Sequence, residues 1–212
     1  MRHALAFVIL GLAAIAFAPM ARAQNLVQNP GFEESTDDGS GGATTTPGWT
    51  LSPGFGTSFI FTDGGTTQSG GSANNGSSWY AQFAATSAGD AQSGTLSQMI
   101  ATTPGQYYTV TFFLANFGGP HNTFLATFGG QTLLSLTDQA GDGVYHSYTA
   151  VIRATSTQTR LAFTGEQDPS AFGLDDVDVE AGPAPVIGGG LVSLGFAAAG
   201  FVTRRLRRRR AV

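Results

Sequence analysis

Short runs of alternating apolar and polar residues, each closed by Gly, Asn or Asp, recur through this chain, and no long stretch repeats with a helical period. Successive strand residues face opposite sides of a sheet, so alternation marks segments with one buried and one open face. Runs this short and this frequent select an all-β sandwich. Strands are expected at 48–51, 58–62, 79–85, 95–101, 107–116, 124–128, 132–136, 145–154, 160–164 and 174–179. Tyr107–Asn116 is apolar on both faces and is expected to be central. Gly129-Gly130 is a two-residue hairpin signal between two of the runs. About nine or ten short strands in one domain describe a jelly-roll β-sandwich of two antiparallel sheets. Glu34–Pro47 and the Gly/Ser/Asn/Thr-rich Asp63–Ser78 read as loops.

Charge narrows the function classes. Of the ten basic residues none is lysine, and eight lie at the two ends (Arg2, Arg22 and six after Thr203). The stretch 24–181 keeps only Arg153 and Arg160 against all fourteen acids, a formal charge of −12. Nucleic-acid binding needs clustered cations and is excluded. The balance suits a surface protein, a divalent-cation site or a salty medium. There is no cysteine. Disulfides, thiol catalysis, Cys-type metal sites and lipidation through cysteine are therefore excluded.

Both ends read as targeting segments. Arg2 and His3 precede the apolar run Ala4–Ala18, and Ala21-Arg22-Ala23 is a small-residue cleavage site. Residues 1–23 are therefore expected to be a signal helix cut between Ala23 and Gln24, leaving an ectodomain over 24–181. At the other end, residues 182–212 form a sorting or anchor segment. The eighteen positions 186–203 carry no charge. As a helix they would be about 27 Å long, enough for a short transmembrane span. Arg204, Arg205, Arg207, Arg208, Arg209 and Arg210 follow at once and favour the cytoplasmic side.

These residues resemble known families. The tail, with Pro183-Ala184-Pro185 running into Val186-Ile187-Gly188-Gly189-Gly190-Leu191 and then the arginines, resembles the PEP-CTERM sorting signal of Gram-negative bacteria. It departs from the usual motif in lacking the glutamate of Pro-Glu-Pro. The resemblance implies an exosortase-like processing enzyme as partner and delivery to the cell envelope or surface. The ectodomain resembles jelly rolls of the carbohydrate-binding-module and galactose-binding type. Three stretches carry the likeness: Asn29-Pro30-Gly31-Phe32-Glu33, the run Pro104–Phe112, and Phe172-Gly173-Leu174-Asp175-Asp176-Val177. It implies a non-catalytic, exopolysaccharide- or matrix-associated secreted protein.

Three chemistries follow. In a jelly roll the terminal strands are neighbours, which brings Glu33 towards Asp175 or Asp176, and Ca²⁺ prefers such hard oxygen ligands. The resembled modules hold a structural Ca²⁺ with an early and a late acid, here Glu33 and Asp176. For sugar binding, the aromatics able to stack on a pyranose are Trp79, Tyr80 and Tyr107, with Phe55 and Phe117 behind them. Trp49 is assigned to the core. For catalysis there is neither a Gly-x-Ser-x-Gly elbow nor a His-Glu-x-x-His motif. His121 and His146 sit beside turns without a partner pattern. Glu166 with Asp168 is the acid pair a glycosidase would need, although acids in such a loop are usually solvated. The expectation is a non-enzyme, the alternatives being a structural single-pass surface protein or an extracellular hydrolase. Asn75-Gly76-Ser77 fits a glycosylation sequon.

Overall fold

The computed structural model describes residues 23–37, 43–52, 60–62, 73–74, 76–84, 93–168 and 170–182. The signal helix 1–22, Phe55, Asn75, Pro183-Ala184-Pro185, the span 186–203 and the arginine cluster lie outside the described residues. Among the described residues no helix is long and apolar enough to cross a membrane.

Among the described residues there are twelve strands. They are β1 (Thr36–Asp37), β2 (Ala43–Thr45), β3 (Thr50–Leu51), β4 (Ile60–Thr62), β5 (Trp79–Ala84), β6 (Gly94–Ala101), β7 (Tyr107–Asn116), β8 (Asn122–Phe128), β9 (Gln131–Thr137), β10 (His146–Arg153), β11 (Gln158–Gln167) and β12 (Ala171–Gly182). Two antiparallel five-stranded sheets, β10-β7-β12-β5-β4 and β3-β6-β11-β8-β9, face each other. The all-β jelly-roll expectation holds. Two details differ. The small β1–β2 ladder falls where a loop is expected. The middle strand of the first sheet is β12, with β7 between it and β10. β7 also alternates in burial, because Thr109 and Thr111 occupy its outward positions.

The core is aromatic. Phe32, Phe83, Phe112, Phe124, Phe128, Phe163 and Phe172 are at most 1% exposed. Phe163 on β11 packs its ring 5.1 Å from Phe112, 6.2 Å from Trp49 and 6.3 Å from Phe124, joining the sheets at their centre. Each ring contributes roughly 1.5–3 kcal/mol by leaving water. Gly165, on the same strand, lets the sheets approach: an added Cβ would sit 3.0 Å from Phe83 and Phe124. Gly129 and Gly130, at φ +59° and +78°, turn β8 into β9 as the hairpin signal required.

The segment before β1 is not a strand, yet it ties both sheets together. Leu26 donates its N–H to Val179 O at 2.9 Å, and Asn25 bonds Val177 O and the Val179 N–H through its side chain. The Gln98 side chain on β6 bonds both the N–H and the C=O of Gln28.

Candidate functional site

The turn Asn29-Pro30-Gly31-Phe32 closes with Phe32 N–H donating to Asn29 O at 3.2 Å. Asn29 and Phe32 both have positive φ, +49° and +63°. Asparagine tolerates that region; for a bulky phenylalanine it is strained. The strain is held by burial, because the Phe32 ring is fully buried against Trp49 at 5.4 Å. Trp49 in turn donates its indole N–H to Asn29 O at 2.9 Å, which puts it in the core as expected.

This turn docks on an irregularity of β12. The β12–β7 register shifts between Asp175 and Asp178, so a bulge lies opposite the turn. Asp176, at φ +48°, sits in the bulge, and Val177 N–H donates to Pro30 O at 3.0 Å. The bulge therefore carries two adjacent carboxylates to the turn that carries Glu33.

Three acids and one loop meet there. Glu33 Oε1 accepts the N–H groups of Ser78 and Trp79 at 2.8 and 2.9 Å. Asp175 accepts Asn74 N–H at 2.9 Å with Oδ2 and Asp176 N–H at 2.8 Å with Oδ1. Asp176 Oδ2 accepts from the Asn74 side-chain amide at 2.9 Å. Asp176 Oδ1 and Asp175 Oδ1 border the space beside Gly31, 3.5 and 3.6 Å from where a Cβ would stand. Asp175 is completely buried. Burial pushes its carboxyl up to about 7 against two backbone N–H bonds, and the charges of Asp176 and Glu33 push the same way. The two arginines are engaged elsewhere, Arg153 on Gly105 O and Arg160 on Ser97 Oγ. The structure thus brings Glu33, Asp175 and Asp176 together. Asn74, which clamps both aspartates, is a residue that sequence reasoning missed.

The donors fit a hard cation in kind: carboxylate oxygens, one carboxylate buried, with no side-chain cation of the described residues beside them. Among the described residues, no three His, Cys, Asp or Glu side chains converge as a metal cage. A bound Ca²⁺ would accordingly draw on main-chain oxygens as well as carboxylates.

The stacking candidates separate by face. Trp79 is a correction: it belongs to the core cluster at 8% exposure, on the same side of β5 as Ala81 and Phe83, and cannot offer its ring to a sugar. Tyr80 points the other way but is also fully buried, its hydroxyl 3.1 Å from Gln82 Oε1. Tyr107 is half-buried on β7, paired with Arg153 and Gly182. Phe117, just past β7, is half-buried beside Tyr145 with ring centroids 6.1 Å apart at 81°. Both rings stand over Gly173 of β12, where a Cβ would meet Tyr145 Oη and come within 2.8 Å of Phe117. Gly173 pairs with Gln82 and Ala115, so this strip lies on the outward face of the first sheet. Tyr145 is the second missed residue.

The residues considered for catalysis lie elsewhere. Glu166 and Asp168 border a cleft of about 350 Å³ with His121, Asn122, Thr123, Thr137 and Asp138. His121 has φ +73° and donates its backbone N–H to Asp138 at 3.0 Å, a turn-closing role. His146 has a partner after all, Asp142 at 2.8 Å, both exposed. That bond and the Val144 N–H, the larger effect, lower the Asp142 carboxyl.

The architecture is that of a carbohydrate-binding-module-like jelly roll. Over 76% of this chain and 100% of the other, it is similar to TmCBM61 in complex with β-1,4-galactotriose (18% identity, TM-score 0.51). It is likewise similar to the Stig cyclase Fisc from Fischerella sp. TAU over 77% and 100% of the two chains (20% identity, TM-score 0.54). A third similar structure is the enzymatically active domain of bacteriophage CBA120 tailspike protein 4, at 16% identity and TM-score 0.51, over 74% of this chain and 21% of that one. At these identities the likeness establishes fold. Residues 25–180 match the family model described as a protein of unknown function (DUF642), and the chain belongs to that family. No curated protein matches it.

Proposed function

We propose that this chain is an exported, non-catalytic carbohydrate-binding protein of the cell envelope. Its ligand surface is the outward face of the sheet β10-β7-β12-β5-β4. The observation that carries this reading is the Phe117–Tyr145 pair over Gly173. Two half-buried rings above a position cleared of side chain make an apolar strip on this face. That is the surface a pyranose stacks on. Tyr107 extends the same face towards Arg153. A polysaccharide is thus the proposed partner, and galactan is a natural first probe because TmCBM61 holds β-1,4-galactotriose on a similar fold.

In this reading Ca²⁺ is structural. Asp175 and Asp176, with Glu33, would hold it, and its charge would offset the buried carboxylate. Delivery is by the cleaved leader ending at Ala23 and the PEP-CTERM-like tail, with an exosortase-like enzyme acting near Pro183-Ala184-Pro185. The arginine cluster would remain cytoplasmic.

Affinity electrophoresis of the full-length chain through gels containing different polysaccharides tests ligand binding. Retardation by at least one is expected; free migration in all of them rejects the sugar reading. The C-terminal mass of the protein from cells tests delivery. A chain ending within 183–190 is expected, and an intact Val212 end would make the tail a permanent anchor.

A further inference from the structure

The sandwich ends differently on its two sides. Among the described residues one side closes with β3 and β4, two and three residues long. Very short edge strands offer little backbone to a stranger and are one of the ways natural sheets avoid pairing. The other side closes with β9 and β10, which lie beside each other and run seven and eight residues. β10 pairs with β7 through eight consecutive positions without a bulge. Neither edge strand holds a proline, a lysine or an acid. β9 carries one register irregularity against β8, whereas β10 has none. The basic residues of β10, His146 and Arg153, stand at its two ends and leave its middle unguarded.

Charge singles out the same side. In a domain of −12, no acid occurs between Asp90 and Asp138 or between Asp142 and Glu166. Both edge strands fall in these acid-free stretches, so a second copy approaching here meets no carboxylate along either strand. The exposed surface is apolar in part: Val151 is 52% exposed, and Leu134, Leu136, Tyr148 and Ile152 are only partly buried. Eight residues span about 27 Å, and two sheets about 10 Å apart with their side chains give a side about 20 Å thick. Covering it removes about 500 Å² per copy, or about 1,000 Å² in all, the lower limit of a specific interface.

We propose that two copies of this chain pair antiparallel along β10, continuing the sheet across a twofold axis into ten strands. Side-chain alternation requires outward residues to oppose outward residues. Centred on Ala150, the pairing sets Thr149 against Val151 on the outer face and Tyr148 against Ile152 on the inner. The assembly stands independently of sugar binding.

The absence of cysteine makes the test simple. Full-length A150C, treated with a short bis-maleimide, should cross-link to a homodimer. M99C, equally solitary on the other sheet and 57% exposed, should stay monomeric. Adding V151K to A150C should abolish the cross-link without shifting the melting temperature; T149K is the second variant should V151K unfold. A150C cross-linking no better than M99C, a dimer that survives both lysines, or cross-linking to a different protein would each overturn the proposal.

Discussion

The acidic corner, where Asn29–Glu33 meets the β12 bulge, and the body from β6 to β11 follow opposite rules. The body is regular: its alternation, its turns and its burial agree, and between Asp90 and Asp138 it carries no acid at all. The corner holds three positive-φ residues, a bulge and a buried carboxylate. The body has its own exceptions, positive φ at His121 and Asp138 beside turns and one register shift between β8 and β9, but they are scattered. Only the corner gathers them around a buried carboxylate, which is the pattern of a site carried on a scaffold. Stability should therefore reside in the body, and sensitivity to pH and cations in the corner.

The largest effect should come from the body. F163A removes the ring that touches Phe112, Trp49 and Phe124, and should cost about 3–5 kcal/mol in denaturant unfolding. A loss below about 1 kcal/mol would mean that the body is not the stabilising region.

The next concerns Asp175. Its folded-state carboxyl is raised to about 7, so the folded state holds the proton more tightly than the unfolded chain. Its contribution is complete below about pH 4 and is lost as pH rises through about 7, on the order of a few kcal/mol. The metal-free protein should lose melting temperature from pH 5 to pH 8, and D175N should flatten that slope. Millimolar Ca²⁺ should raise the melting temperature of the wild type more at pH 8 than at pH 5, and that of D175N little. An equal slope in both proteins would remove Asp175 as its source. No chelator effect on the wild type would remove the cation.

E33Q is smaller. It weakens two carboxylate hydrogen bonds to Ser78 and Trp79 at an exposed position and should cost about 1 kcal/mol, read by thermal melting. Losing the Ca²⁺ shift along with it would tie Glu33 to the cation; keeping the shift would leave only the aspartates.

How much of this was legible follows the same division. The strands of the body could be read because an alternating run such as Asn122–Phe128 states its own faces, and Gly129-Gly130 its own turn. The β1–β2 ladder could not, since two- and three-residue strands of Thr, Ala and Asp show no period. β5 concealed its faces because Trp79–Ala84 is buried on both, so Trp79 and Tyr80 looked alike as stacking residues until their sides were known. Glu33 near the late aspartates was legible from chain order alone. Asn74 was not, because its partner Asp175 lies 101 positions away in a fold that no local pattern specifies. Tyr145 was hidden for the same reason: its role depends on Gly173, on a different strand.

Phe117 and Tyr145 should matter least to stability, since both are half-buried outside the core cluster. Their replacement therefore tests the ligand face almost alone. The most direct measurement is titration of the polysaccharide retained in affinity gels, or of β-1,4-galactan oligosaccharides, into full-length wild type, F117A and Y145A. At about 0.5–1.5 kcal/mol per stacked ring, each variant should bind roughly two- to ten-fold more weakly with its melting temperature nearly unchanged. Wild-type affinity in both variants would contradict the assignment of the outward face of β10-β7-β12-β5-β4 as the sugar-binding surface.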